Sequence, residues 1–112
     1  MANPLIDPAA WRDLQDTAGA DFAAELAGIF IEEMPGMLAD ARDAFTSKDA
    51  TAIARAAHSL KSNALTFGAT RLAALARALE LGGLAQADAA ALQALEAAAV
   101  EAARALEALR HG

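Results

Sequence analysis

The sequence predicts an all-α protein: an antiparallel up-down four-helix bundle with a short extra helix at its N-terminal end. Apolar residues recur at steps of three and four along four long stretches. Capping residues, glycine or proline punctuate the chain between those stretches. The apolar fraction of 56% is mostly alanine, with aromatics at 4%, which favours helices in close contact over sheets. At 112 residues the chain is about one domain, expected to span 1–112, and roughly two-thirds of its unfolded surface can be buried.

Asp7-Pro8 opens the first, short helix, expected over about 8–17 and ended near Gly19. Asp caps the free amides, and Pro at the first helical position gives up a bond that position lacks anyway. Ile6 and Trp11 occupy the two positions of a hydrophobic staple. Asp21 restarts the pattern, and Phe22, Leu26, Ile29, Phe30, Met34, Met37, Ala41 and Phe45 mark one expected buried face on a long helix. Pro35 interrupts that helix at a cost of about 3 kcal/mol in isolation. The apolar phase carries across it, so one kinked helix is expected and not two.

Ser47-Lys48-Asp49 reads as a turn ending in an Asp cap, and the next helix is expected to bury Ile53, Ala57, Leu60 and Ala64. Thr66-Phe67-Gly68-Ala69 is expected to be a tight connection, with Thr70 capping a helix that carries Leu72, Leu75, Ala76 and Leu79 and stops at Gly82-Gly83. Asp88 caps the last helix. There Leu92, Leu95, Ala99, Ala102, Leu106 and Leu109 alternate steps of three and four in a narrow seam.

A net charge of -6 without any basic run argues against nucleic-acid binding. Zero cysteines exclude disulfides and thiolate metal sites, and two distant histidines without His-Glu-x-x-His spacing leave no expected metal or cofactor. Met1-Ala2-Asn3-Pro4 lacks the basic start of a secretory signal, and no stretch reaches about 18 uninterrupted apolar residues. A soluble, cytoplasmic protein with no membrane partner is expected.

His58 is the residue this scaffold leaves unexplained. By helical phase it lies roughly 130° from the centre of its helix's apolar row, so the ring is expected outside, among the mostly small neighbours Thr51, Ala54, Lys61, Ser62 and Leu65. Such a low surface lets another protein approach. Imidazole is substantially neutral and nucleophilic at cytoplasmic pH. Lys61 shares its side one turn on and can neutralise an anion placed on the ring, with the Ser62 hydroxyl assisting. A catalytic triad is disfavoured because an exposed ring offers no cleft for one. His111, beside the C-terminus, is read as incidental and frayed.

The run AHSLKSNALTFGATRLAALARALE resembles, over 24 positions, the signature of histidine-containing phosphotransfer (HPt) domains: H-x-L-K-[GS]-[SA], then Gly-Ala, then L-E. Weaker likeness extends over FAAELAGIFIEEMPGML and the Ser47-Lys48-Asp49 turn. Asn63 departs from the more usual Ser or Ala, and Ser62 stands where Gly is frequent. The resemblance implies the same four-helix fold, with His58 phosphorylated, Lys61 beside the phosphoryl group and Glu80 helping to orient the imidazole. It also implies docking of receiver domains near Ala54, Leu65 and Gly68, where Gly68 would leave room for the partner and permit the tight turn. The implied function is reversible relay between receiver aspartates of response regulators and hybrid histidine kinases. The chain has no nucleotide motif or Asp cluster of its own, so it is expected to be a carrier and not an enzyme. The rival readings are an interaction module that binds kinase or receiver without carrying phosphate, and a dimerisation bundle using Leu92, Leu95, Leu106 and Leu109. Four amphipathic helices can satisfy one another within a monomer, the expected state.

Overall fold

In the computed structural model, which describes residues 5–85 and 87–111, five α-helices follow in order: α1 (Pro8–Ala18), α2 (Ala20–Thr46), α3 (Ala50–Phe67), α4 (Thr70–Gly82) and α5 (Ala89–His111). A single 3-10 turn, Gly83–Ala85, precedes α5. The reading of residues 1–4 as lacking a secretory signal lies outside the described residues. No helix among those described is long and apolar enough to cross a membrane.

Helices α2 to α5 form the bundle. α3 packs on α2 and α4, while α5 packs on the same two helices from the other side, closing a ring; α1 lies against α2 and α3. Side-chain contacts fix the sense of the chain in neighbouring helices. Arg42 of α2 pairs with Glu96 of α5 at one end, and Arg110 of α5 donates from Nε to the Ala24 carbonyl at 3.2 Å at the other, so α2 and α5 run antiparallel. Links as short as Ser47–Asp49 and Gly68–Ala69 force the same reversal between α2, α3 and α4.

Most expected starts and stops hold. Asp7 accepts from the Ala9 amide at 3.0 Å, Asp49 from Ala52 at 3.0 Å and Asp88 from Ala91 at 2.7 Å. Ile6 and Trp11 are both buried, as a staple requires. α2 is one helix through Pro35, held by buried residues on both sides of the proline: Phe30 and Met34 before it, Ala41 and Ala44 after. Thr70 is not a cap. It is the first residue of α4, and the preceding Ala69 makes no side-chain cap, because main-chain bonds from the end of α3 already define this turn. Ala69 N donates to Ala64 O at 2.8 Å and Gly68 N to Leu65 O at 3.2 Å, with Gly68 left-handed at φ 75°, the two bonds of a Schellman ending.

The buried face of α2 differs from the expected one. Phe30, Met34 and Ala41 are inside, but Phe22 and Ile29 are exposed, and Ala23, Ala27 and Ala44 take the buried positions. Hydrophobic periodicity scores both rows, whereas close approach to neighbouring helices selects the one with small side chains. Phe30 then fills the remaining space by stacking on Phe67 of α3, ring centroids 5.2 Å apart. In α5, Leu92, Leu95 and Leu106 are consumed by the chain's own core and only Leu109 is partly out, so the seam read as a dimer contact is internal.

Gly68 also corrects an expectation. It is buried, and a Cβ there would meet Ala10 Cβ at 2.7 Å and Asp7 O at 3.0 Å, while Asp7 N donates to Gly68 O at 2.7 Å. The space that Gly68 leaves is filled by the start of α1 and is not open to a partner. A Cβ at Gly36, inside α2, would meet nothing within 4 Å. In urea unfolding, Gly68→Ala is expected to lose about 2 kcal/mol, from backbone strain plus the Ala10 clash, and Gly36→Ala to gain about 0.5–1 kcal/mol.

Candidate functional site

α3 buries Ile53, Ala57, Leu60 and Ala64 completely, which fixes its rotation and turns His58 outward with 60% of its side chain exposed. Lys61, one turn on, points toward α4. Because α4 returns antiparallel from the Gly68 turn, its residue Glu80 comes level with both.

The Glu80 carboxylate joins them. Its Oε2 lies 2.6 Å from His58 Nδ1, and its Oε1 accepts from Lys61 Nζ at 2.5 Å. Lys61 and Glu80 are largely covered, with about a fifth of each side chain exposed. The Lys61 hydrogen bond, and after it that of His58, hold the Glu80 carboxyl below the usual glutamate range. An ionised carboxylate only accepts hydrogen bonds, so the proton in the His58–Glu80 contact resides on Nδ1. In the neutral ring this leaves the Nε2 lone pair free, on the side of the ring away from Glu80. The arrangement therefore presents one oriented nucleophilic nitrogen on an open ridge. Shallow grooves lined by Met37, Asp40 and Ser59 run along the α2 side, and His58 is not among their lining residues.

The structure brings His58, Lys61 and Glu80 together and leaves Ser62 outside the cluster, exposed, with its carbonyl taking the Thr66 hydroxyl at 3.1 Å. Lys61 is on the expected face, and its ammonium donates to Glu80, the carboxylate that also meets His58 Nδ1. Its reach across to α4 has no signature in the sequence. Ala54 is half-buried one turn before His58, Leu65 is 59% exposed two turns after it, and Gly68 is covered by α1. Leu81, overlooked in the sequence, is 72% exposed beside Glu80. Its position out of phase with Leu72, Ala76 and Leu79 was the available signal. His111 belongs to α5 and pairs with Glu107 of the same helix at 2.6 Å, a local contact joined by Arg110 and remote from His58. Among the described residues no group of His, Asp or Glu side chains is arranged to hold a metal ion.

The family model for the Hpt domain matches residues 25–112, from within α2 onward. No curated protein and no solved structure matches the chain.

A depressed carboxyl stabilises the fold above the ordinary glutamate value of about 4.3 and loses that contribution as pH falls through the folded-state value. Carbon-detected NMR titration is expected to place Glu80 below ordinary glutamates. In Lys61→Met the value should rise toward them; an unchanged value would show that Lys61 does not hold the carboxylate.

Proposed function

Since the chain belongs to the Hpt domain family, whose members serve phosphotransfer in two-component phosphorelays, we propose that His58 is the phosphorylated residue and that the protein relays phosphoryl groups between receiver-domain aspartates. The observation that carries this reading is the 2.6 Å bond from His58 Nδ1 to Glu80. It orients the ring and leaves Nε2 as the attacking atom. In the transfer, the Nε2 lone pair forms a bond to phosphorus in line with the breaking P–O bond of the aspartyl phosphate, and that bond's electrons leave with the aspartate carboxylate. The ring becomes formally cationic, and its Nδ1–H faces the Glu80 carboxylate, which stabilises the developing charge. Reversal regenerates the neutral ring and a phosphorylated aspartate.

Lys61 contributes through Glu80 by keeping that carboxylate ionised and fixed in place. Ser62, exposed one turn from His58, is assigned the lesser role of offering its hydroxyl to a phosphoryl oxygen. Nucleotide and magnesium belong to the partners, hybrid kinases and response regulators, so the chain acts as a carrier without kinase activity. It functions as one unit over 1–112, as a monomer in the cytoplasm.

Wild type incubated with phosphorylated receivers should gain acid-labile, alkali-stable label, and His58→Gln should gain none. Absence of label in wild type across several receivers would favour the module that binds without carrying phosphate; undiminished labelling of His58→Gln would place the phosphate elsewhere. Glu80→Gln replaces a charge-assisted bond by a neutral one and should slow transfer about fivefold to tenfold. Lys61→Ala should fold normally and slow transfer less.

A further inference from the structure

Resting on the carrier reading, we propose that Asp7 is a positioning residue for phosphoryl transfer: its main-chain amide holds the turn between α3 and α4 in the geometry that brings Glu80 onto His58. Asp7 touches none of the reacting groups, and it precedes the residues matched by the family model, 25–112. It acts through the turn.

The turn is short enough for one bond to matter. Gly68 is left-handed at φ 75°, and Ala69, at φ -79° and ψ 75°, has the inverse γ conformation. The Gly68 carbonyl accepts from Thr70 N at 2.9 Å, which closes that γ-turn, and also from Asp7 N at 2.7 Å. Thr70 is the first residue of α4, so the peptide plane between Gly68 and Ala69 sets the direction in which α4 departs. Asp7 grips this plane from outside the two helices it joins.

Local chemistry leaves the Asp7 amide free for this contact. At the N-cap its N–H lies outside the hydrogen-bond ladder of α1, Pro8 has no N–H, and the Ala9 amide is taken by Asp7 Oδ1 at 3.0 Å. Ile6 and Trp11, both buried, anchor the start of α1, which packs on α2 and α3. Ala10 adds a wall, its Cβ 2.7 Å from the place a Cβ on Gly68 would take. Through α1 the turn is thus referred to α2 as well as to its own two helices.

Leverage makes the site sensitive to this clamp. Glu80 lies ten residues beyond Thr70, about 15 Å along α4. A swing of about 5° at the turn moves Glu80 by about 1.3 Å, enough to take the contact with His58 out of hydrogen-bond range. Two of the four buried positions of α4 are the small residues Ala73 and Ala76, with Leu72 and Leu79 as the others. Packing alone therefore gives α4 limited purchase against such a swing.

The test uses the full chain, receivers from the same organism phosphorylated with acetyl phosphate, and phosphoramidate as a small donor that needs no docking. Asp7 has φ -65°, which proline adopts, so Asp7→Pro removes the amide and keeps the backbone angle. Asp7→Ala loses the cap and keeps the amide, and the contrast between the two variants isolates the main-chain bond. Relative to Asp7→Ala, Asp7→Pro should lower the kcat of receiver transfer about fivefold with KM within about twofold, and slow phosphoramidate labelling by the same factor. Imidazole 15N NMR at about pH 9, where the ring is neutral, should show His58 as the Nδ1–H form in Asp7→Ala and as a mixture with the Nε2–H form in Asp7→Pro. A merely structural role would lower the urea midpoint and leave the tautomer of the folded protein alone. Matching tautomers and rates in the two variants would overturn the positioning role and leave the carrier reading intact. Should Asp7→Pro not fold, Ala10→Gly decides, since it withdraws only the methyl group against Gly68: a tautomer mixture is expected, and a pure Nδ1–H form would overturn the proposal. Wild type that takes label from neither donor would overturn the carrier reading and the positioning role with it.

Discussion

A two-residue link leaves α3 and α4 almost no freedom to slide past one another. With Gly68 in the left-handed region and Ala69 bonded back to Ala64, the register between the helices is set at one end, and every later pairing follows from the helical rise. Glu80 is carried level with His58 and Lys61 by that register. The start of α1 reinforces it: Asp7 bonds the Gly68 carbonyl, and Ala10 fills the space a side chain would need. A residue ten positions from the histidine thus governs its hydrogen bond through backbone geometry.

The cluster is better understood as an orienting device than as a source of stability. Partly exposed ion pairs contribute little to folding, since Coulomb gain is offset by side-chain entropy and screening. What the shared carboxylate achieves is geometric. One oxygen is engaged by an ammonium that keeps it ionised, and the other takes the imidazole proton, so the reactive nitrogen faces outward. A single carboxylate thereby fixes rotamer and tautomer of a ring that is otherwise free in solvent.

Alanine explains both the compactness of the bundle and the misread face of α2. Buried rows such as Ala23, Ala27, Ala41 and Ala44 allow close helix contact, and few large residues are needed to complete the core. Large side chains left over, including Phe22, Ile29, Leu65 and Leu81, then appear outside. Two of these share the surface of the histidine.

Local chemistry was legible without coordinates. Asp caps, the staple of Ile6 and Trp11, the buried row of α3 and the outward turn of His58 all depend on residues within one or two helical turns, where backbone geometry alone fixes the relation. The resemblance to HPt domains further singled out Glu80. Tertiary structure decided what depends on distant parts of the chain meeting. It chose between two apolar rows on α2 by volume, and it covered Gly68 with a helix some sixty positions earlier in the chain. It also joined the Lys61 ammonium of α3 to the Glu80 carboxylate of α4. A sequence specifies a helix's faces by periodicity, but which neighbour each face meets, and at what level, is fixed only when turns and packing set the register between helices.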